Sequence, residues 1–444
     1  MATFKRLADM RWMRNTVLFF LVVSGAILVY PHKGGGIIYI DINSPQIRRF
    51  YLAFPAIKDL GNTPQGIKEE MEKTLVQDLT ISDLFYLMER VKLPQQEAYV
   101  TEENIDFVSW KNSGTEFLLS VGIKGERNAV SLEFRLFDAI QGVYVAGKRY
   151  HGSLAEIRVI LGKLADEVVQ QLTGERGIFQ TKIAFVTDRT GNKEIAVMDV
   201  NSRSETMVTK NGSINISPDW HPDGRSLLYT SYQRRNPDLY QVFRSTRNSI
   251  LLSAVPGPNA TPAWSPDGKR IALMMRGENN TEIYLLNEQG KEPVMLTRSW
   301  DSKASPTWSP DGKQIAFVSD RSGTPQIYIF DLTTRKLRRL TYEGGYNCSP
   351  AWSPKGDRIA FARQEEGRFH LYTIRPDGTD VRRLTKEGSN ENPSWAPNGR
   401  HLAFTSKQGG NYDIYIMTAD GGGPWKVTDT AANETEPTWS PWLQ

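Results

Sequence analysis

The chain has 444 residues, with 54 Lys and Arg, 50 Asp and Glu, five His and one Cys. At roughly 150 residues per domain it holds two or three domains, and a lone Cys348 excludes an intramolecular disulfide framework or a four-cysteine metal site. The net charge of +4 resides in residues 1–36, where Lys5, Arg6, Arg11, Arg14 and Lys33 face only Asp9; the neutral remainder lacks the basic footprint of a nucleic-acid binder.

Arg11 and Arg14 precede an apolar run from Val17 to Val29. A positive flank followed by a short apolar stretch predicts a secretory signal peptide within residues 1–36. Cleavage is expected after Ser24-Gly25-Ala26 or near Gly34-Gly35-Gly36. The run is shorter than the ~20 residues a membrane-spanning helix needs; an uncleaved anchor is the alternative. Export is the expected outcome.

Residues 37–178 read as an α/β N-terminal domain. Ile37 to Ile42 and Phe50 to Phe54 alternate as strands, and Pro64 to Asp78 places Ile67, Met71, Leu75 and Leu79 at helical spacing. Glu116 to Ile123 is a further strand. Val130 to Phe137 and Val143 to Arg149 form a hairpin across the Asp138–Gly142 turn. Ser153-Leu-Ala-Glu156 is a capping box that opens a helix ending before Gly174. Gly174 to Thr181 links this domain to the C-terminal part of the chain.

From residue 182 to 444 the sequence repeats. Trp220, Trp264, Trp308, Trp352, Trp395 and Trp439 are spaced 44, 44, 44, 43 and 44 residues apart, mostly within Pro-x-Trp-Ser-Pro-Asp-Gly or a close variant. Each Pro-(Asp/Lys/Asn)-Gly is a turn, in which Pro fixes φ and Gly supplies positive φ. Short β-branched and aromatic runs come after the turn, such as Ile315-Ala-Phe317, Ile327-Tyr-Ile-Phe330 and Arg338-Arg-Leu340. Four strands per unit of this period make a β-propeller blade. Ile183–Asp188 and Ile195–Asp199 match inner strands with no Pro-x-Trp before them, whereas Pro437-Thr-Trp439 is a first strand at the opposite end. Five whole units and one divided between the ends predict six blades, closed by the C-terminal strand. Regular recurrence assigns the six tryptophans to packing between blades rather than to one ligand site.

Catalytic constellations are not found: the sequence has no Gly-x-Ser-x-Gly elbow, phosphate loop or HExxH. His221, His370 and His401 occupy three different positions of the repeat, so no metal site, no cofactor and no enzymatic activity are expected. Asp188 and Asp320 are assigned to their own turns. The segments entering each first strand are small and amide-rich, as in Gly257-Pro-Asn-Ala-Thr261 and Gly388-Ser-Asn-Glu-Asn392. In a propeller they emerge together around one axial mouth as loops, where binding is commonly carried.

The export signal, the α/β domain, the six blades and the closing Pro-Thr-Trp-Ser-Pro-Trp442 together resemble the TolB family, periplasmic components of the Tol–Pal system of Gram-negative bacteria. Phe117-Leu-Leu-Ser-Val121, Leu132-Glu-Phe-Arg-Leu-Phe-Asp138 and Thr173-Gly-Glu-Arg-Gly177 strengthen the likeness. The resemblance implies a protein-binding scaffold that links the inner-membrane Tol complex to the lipoprotein Pal, for outer-membrane integrity and cell division. It implies Pal at the propeller mouth, on Asn259, Ala260, Thr261, Lys303, Ala304, Ser305, Asn347, Cys348, Ser349, Glu391 and Asn392. It implies TolA of the TolQRA complex on the N-terminal segment, at Ile37, Ile38, Tyr39, Ile40, Asp41 and Ile42. Pro258 stands where some members carry a histidine. A monomer, joined to the outer membrane only through Pal, is expected. A metal-dependent propeller lyase, or a prolyl-peptidase-like propeller lacking its hydrolase domain, is the competing expectation.

Overall fold

A computed structural model describes residues 48–94, 99–126 and 129–443. The expected signal peptide, the strand from Ile37 to Ile42 and the TolA-contact residues lie outside the described residues.

The N-terminal domain is a mixed sheet covered by two helices. Phe50–Ala53 runs parallel to both Phe85–Leu87 and Phe117–Glu126, which continues antiparallel into Ala129–Asp138 and Val143–Ser153. Helix α1 spans Ile67–Ile81, beginning three residues after the expected Pro64 because Gly66 sits at φ 84° and forms the entry turn. Its Met71, Leu75 and Leu79 are buried, as period-four spacing requires. A short helix, α2, spans Phe107–Asn112 and is capped by Asp106. Helix α3 spans Ile157–Thr173; the capping box of Ser153 and Glu156 opens a single 3-10 turn before it, and Gly174 at φ 73° ends it.

The C-terminal part forms six four-stranded antiparallel sheets arranged as a propeller. Blades 1 to 5 start with the innermost strands Asn215–Trp220, Asn259–Trp264, Lys303–Trp308, Asn347–Trp352 and Asn390–Trp395. In blade 6 the innermost strand is Glu434–Trp439, which pairs with Lys182–Thr187 and so joins the two ends of the array. Closure removes the open sheet edges that an unjoined array would present. The six period tryptophans are buried, and three indoles donate across a blade seam: Trp220 to the Thr438 carbonyl at 3.1 Å, Trp308 to that of Ala263 at 3.1 Å, and Trp395 to that of Ala351 at 3.0 Å.

One apolar core runs from the N-terminal domain into blades 5 and 6, uniting Leu75, Leu164 and Val168 with Phe185, Met198, Ile416 and Trp439. Polar contacts stitch the same joint. Asn201 Nδ2 donates to Asp78 Oδ2 at 2.6 Å, the His401 Nε2 atom lies 2.9 Å from the Ile81 carbonyl, and the Trp439 indole donates to Thr181 Oγ1 at 2.7 Å.

Candidate protein-binding face

Each innermost strand breaks its register once. In blade 1 pairing skips between Ile216 and Asp219, and the same skip recurs in the other five. The residue at the skip has a positive φ near 50° in every blade: Ser217, Thr261, Ser305, Ser349, Asn392 and Glu436. A proline follows each. Proline has no N–H to offer a ladder, so a bulge suits it. Left-handed geometry at a β-branched residue such as Thr261 is a genuine outlier, held only where the surroundings enforce it.

The bulges turn these residues toward the axis. The six positive-φ residues and their prolines enclose a narrow cavity of about 150 Å³ at the strand-start end. Neighbours are bonded in pairs: Ser217 N–H donates to Glu436 Oε2 at 2.7 Å, Ser305 N–H to Thr261 Oγ1 at 3.2 Å, and Asn392 Nδ2 to Ser349 Oγ at 3.4 Å. Beyond the proline ring the channel widens toward the opposite face into a bowl of about 490 Å³. Tryptophan and proline dominate its wall, and Asp219 is the one charged residue among the described residues that line it. One Asp219 oxygen accepts the Trp264 N–H, while burial pushes the carboxyl up to about 7.

The structure divides the residues expected at the mouth. Thr261, Ser305, Ser349 and Asn392 face the axial cavity. Asn259, Lys303 and Asn347, expected in open loops, are instead buried first residues of strands. Asn259 Nδ2 donates to the Val255 and Gly257 carbonyls at 2.7 and 3.0 Å, stapling the preceding turn. Asn347 Nδ2 donates to Gln326 Oε1 at 2.8 Å, and Lys303 Nζ lies 3.1 Å from Glu282. Asn390 takes the same position in blade 5, which moves Glu391 one place along the strand. Ala260 is buried, while Ala304, Cys348 and Glu391 are half-buried. Burial pushes the Cys348 thiol up to about 12, so it stays protonated and unreactive.

Sequence reasoning missed the aromatic rim of this face. Trp300 is 74% exposed and Tyr342 73%, both in the segments that lead into innermost strands. Tyr346, Val255 and Ile214 occupy corresponding segments and are also exposed. Tyr232 joins them, because its N–H donates to the Ile214 carbonyl at 2.9 Å. Arg339 lies 4.9 Å from the Tyr342 ring centroid. Exposed Trp, Tyr and Arg around a polar centre are the residue types that anchor protein interfaces. The available signal was Trp300 itself, a tryptophan outside the 44-residue period.

Among the described residues, no group of three or more His, Cys, Asp or Glu is placed to hold a metal ion. His370 is buried, and burial lowers its pKa; His401 lies under the N-terminal domain. Neither lines the axial cavity or the bowl.

Two family models match the sequence: the TolB amino-terminal domain over residues 38–144 and the TolB beta propeller domain over residues 169–443. The Tol-Pal system protein TolB of Desulfosudis oleivorans is 37% identical over 232 residues, covering 49% of this chain and 53% of that protein. The protein of the same name from Geobacter sulfurreducens is 41% identical over 213 residues, covering 48% of each. The chain thus spans about half the length of the curated relatives it matches. The crystal structure of TolB from Acinetobacter baumannii superposes with a TM-score of 0.77 at 24% identity, covering 89% of this chain and 97% of that one, and shares the fold. Since the propeller match alone takes in more than half of the sequence, the chain belongs to the TolB family.

Proposed function

We propose that this protein is a non-catalytic scaffold of the Tol–Pal system that works in the periplasm. Its strand-start mouth binds Pal, and its segment Ile37–Ile42 engages TolA, so that it connects the inner-membrane Tol complex to the outer membrane through Pal. It acts as a monomer in maintaining the outer membrane and in constriction at division. The observation that carries this reading is the concentric arrangement of the strand-start face. A ring of strained, polar bulges lies inside a crescent of exposed Trp300, Tyr342 and Tyr346, on a closed scaffold that cannot collapse.

The test is an equilibrium binding measurement between the full exported chain and Pal from the same organism. Trp300→Ala and Tyr342→Ala should each weaken binding by roughly tenfold or more, about 1.4 kcal/mol, without lowering the melting temperature. Unchanged affinity in both variants, or no association of the folded wild type, would remove this face from the function.

A further inference from the structure

The wide bowl on the opposite face has a chemistry of its own. Its wall combines pyrrolidine rings with the indoles of Trp352, Trp395, Trp439 and Trp442, and Asp219 stands in it as a single carboxylate. Asp219 Oδ2 is engaged by the Trp264 N–H at 2.8 Å, whereas Oδ1 has no bonding partner among the described residues. Asp219 and Trp439 lie on adjacent innermost strands, whose blades are tied by the Trp220 indole and the Thr438 carbonyl. A carboxylate oxygen left over in a wall of tryptophans and prolines, with no other charged side chain among the described residues of the wall, is complementary to one cation that also presents a flat apolar face.

The protein already places a guanidinium against two of the tryptophans that line the bowl. Arg176 lies 5.0 Å from the Trp442 ring centroid, and Arg270 lies 4.8 Å from that of Trp308. Guanidinium suits the geometry better than ammonium, because it stacks on an indole while its edge donates to a carboxylate. No described residue of the N-terminal domain lines the bowl, so that domain does not plug it.

We propose that this second mouth is a binding site for an arginine side chain presented by a peptide, with the guanidinium donating to Asp219 Oδ1 and stacking on the surrounding indoles. The site is separate from the strand-start mouth, and the two stand or fall independently.

Titration of the full chain at pH 8, where Asp219 is ionised, with Nα-acetyl-arginine amide, followed by tryptophan fluorescence and calorimetry, tests it. Saturable binding is expected with a Kd on the order of 1 mM, and the citrulline amide, isosteric but uncharged, should bind about tenfold more weakly. Asp219→Asn should lose about tenfold in affinity for the arginine amide while melting as a folded protein. Three results would each overturn the proposal: no saturation at about ten times that concentration, equal binding of the citrulline amide to the wild type, or undiminished binding to folded Asp219→Asn. The citrulline comparison needs no variant, so a folding defect cannot obscure the outcome.

Discussion

Asp219 in blade 1 holds Trp264 in blade 2 by its backbone, the carboxylate Oδ2 standing 2.8 Å from the tryptophan N–H. Two more seams repeat this bond with a hydroxyl: Thr307 accepts from Trp352 N–H at 3.3 Å, and Ser394 from Trp439 N–H at 2.9 Å. The three seams between these are built differently. There the residue before the tryptophan is Ala263, Ala351 or Thr438, and its carbonyl takes the indole N–H of the next blade. The same three seams carry the axial pairs Thr261–Ser305, Ser349–Asn392 and Glu436–Ser217. The six-blade ring is therefore organised as three pairs of blades.

Asp219 itself should make stability depend on pH. Burial raises its folded pKa to about 7 from an ordinary value of 3.8, so the native state holds a proton that the unfolded chain releases. Its contribution is fully present below about pH 4 and falls as pH rises to about 7, by no more than about 4 kcal/mol at 1.36 kcal/mol per unit. Asp219→Asn keeps an oxygen for Trp264 and removes the ionisation. Denaturant melts should show the variant gaining on the wild type between pH 4 and 8; a constant difference across that range would contradict the assignment.

The alternation of seams separates tryptophans that the sequence makes look equivalent. The Trp308 indole satisfies the Ala263 carbonyl, whereas the buried Trp264 indole N–H has no partner among the described residues. Trp308→Phe should cost about 1–3 kcal/mol beyond the effect of its smaller ring, because it orphans a buried carbonyl. Trp264→Phe removes an unsatisfied donor and should cost distinctly less. Equal losses in chemical denaturation would show that the two seams are energetically alike.

Much of this architecture was readable from the residues. The spacing of Trp220 through Trp439 gave the blades, and the unmatched ends at Ile183 and Trp439 gave the closure, because a propeller's repeat is a direct image of its geometry. The bulges were not readable. A residue before proline favours extended backbone, so Thr261-Pro262 suggested a strand start preceded by a loop. Tertiary packing instead draws Thr261 to φ 49° and extends the strand back to Asn259. The three-residue strand Phe85–Leu87 was too short to carry a period, and it is fixed by its parallel pairing with Phe50–Leu52. Alternation of Asp219, Thr307 and Ser394 with Ala263 and Ala351 was visible, yet its meaning depends on which atom of the next blade lies opposite.

His401 should make the joint between domains sensitive to acid. It is buried against the Ile81 carbonyl, with Asn398 near Nδ1, Arg400 beside it and Asp420 more distant, while Asp83 acts on Arg400. Burial, aided by Arg400 and opposed by the carbonyl, lowers its pKa to about 4 from 6.5. The unfolded chain therefore takes up a proton first. This contribution is complete above about pH 6.5 and is lost as pH falls toward 4, at about 1.36 kcal/mol per unit. His401→Gln can still donate to the Ile81 carbonyl but does not titrate. Its melting temperature should decline less than that of the wild type between pH 7 and 4.5, and parallel declines would exclude His401 as the cause.

Lys303 offers the sharpest test of the pattern at the strand starts. Blades 1, 2, 4 and 5 place an asparagine there, Asn215, Asn259, Asn347 and Asn390, all fully buried. In blade 3 the position holds a buried lysine, whose Nζ lies 3.1 Å from Glu282 Oε2, 3.3 Å from Asp301 Oδ2 and 2.6 Å from Ser299 Oγ. A buried pair owes its stability to being complete, and losing one partner typically costs about 3–5 kcal/mol. Lys303→Asn restores the residue of the other blades and could donate to Glu282 as Asn215 does to Glu194 at 2.9 Å, but it leaves the buried Glu282 and Asp301 without a cation, so it should destabilise by about that amount. The next seam shows the remedy: Gln326 faces Asn347, a neutral pair with a bond of 2.8 Å. Adding Glu282→Gln to Lys303→Asn relieves one of the two carboxylates and should therefore recover part of the loss, even though each change alone is harmful. Thermal melts of the two single variants and the double variant measure this coupling, and simple additivity would show that Glu282 and Lys303 do not depend on each other.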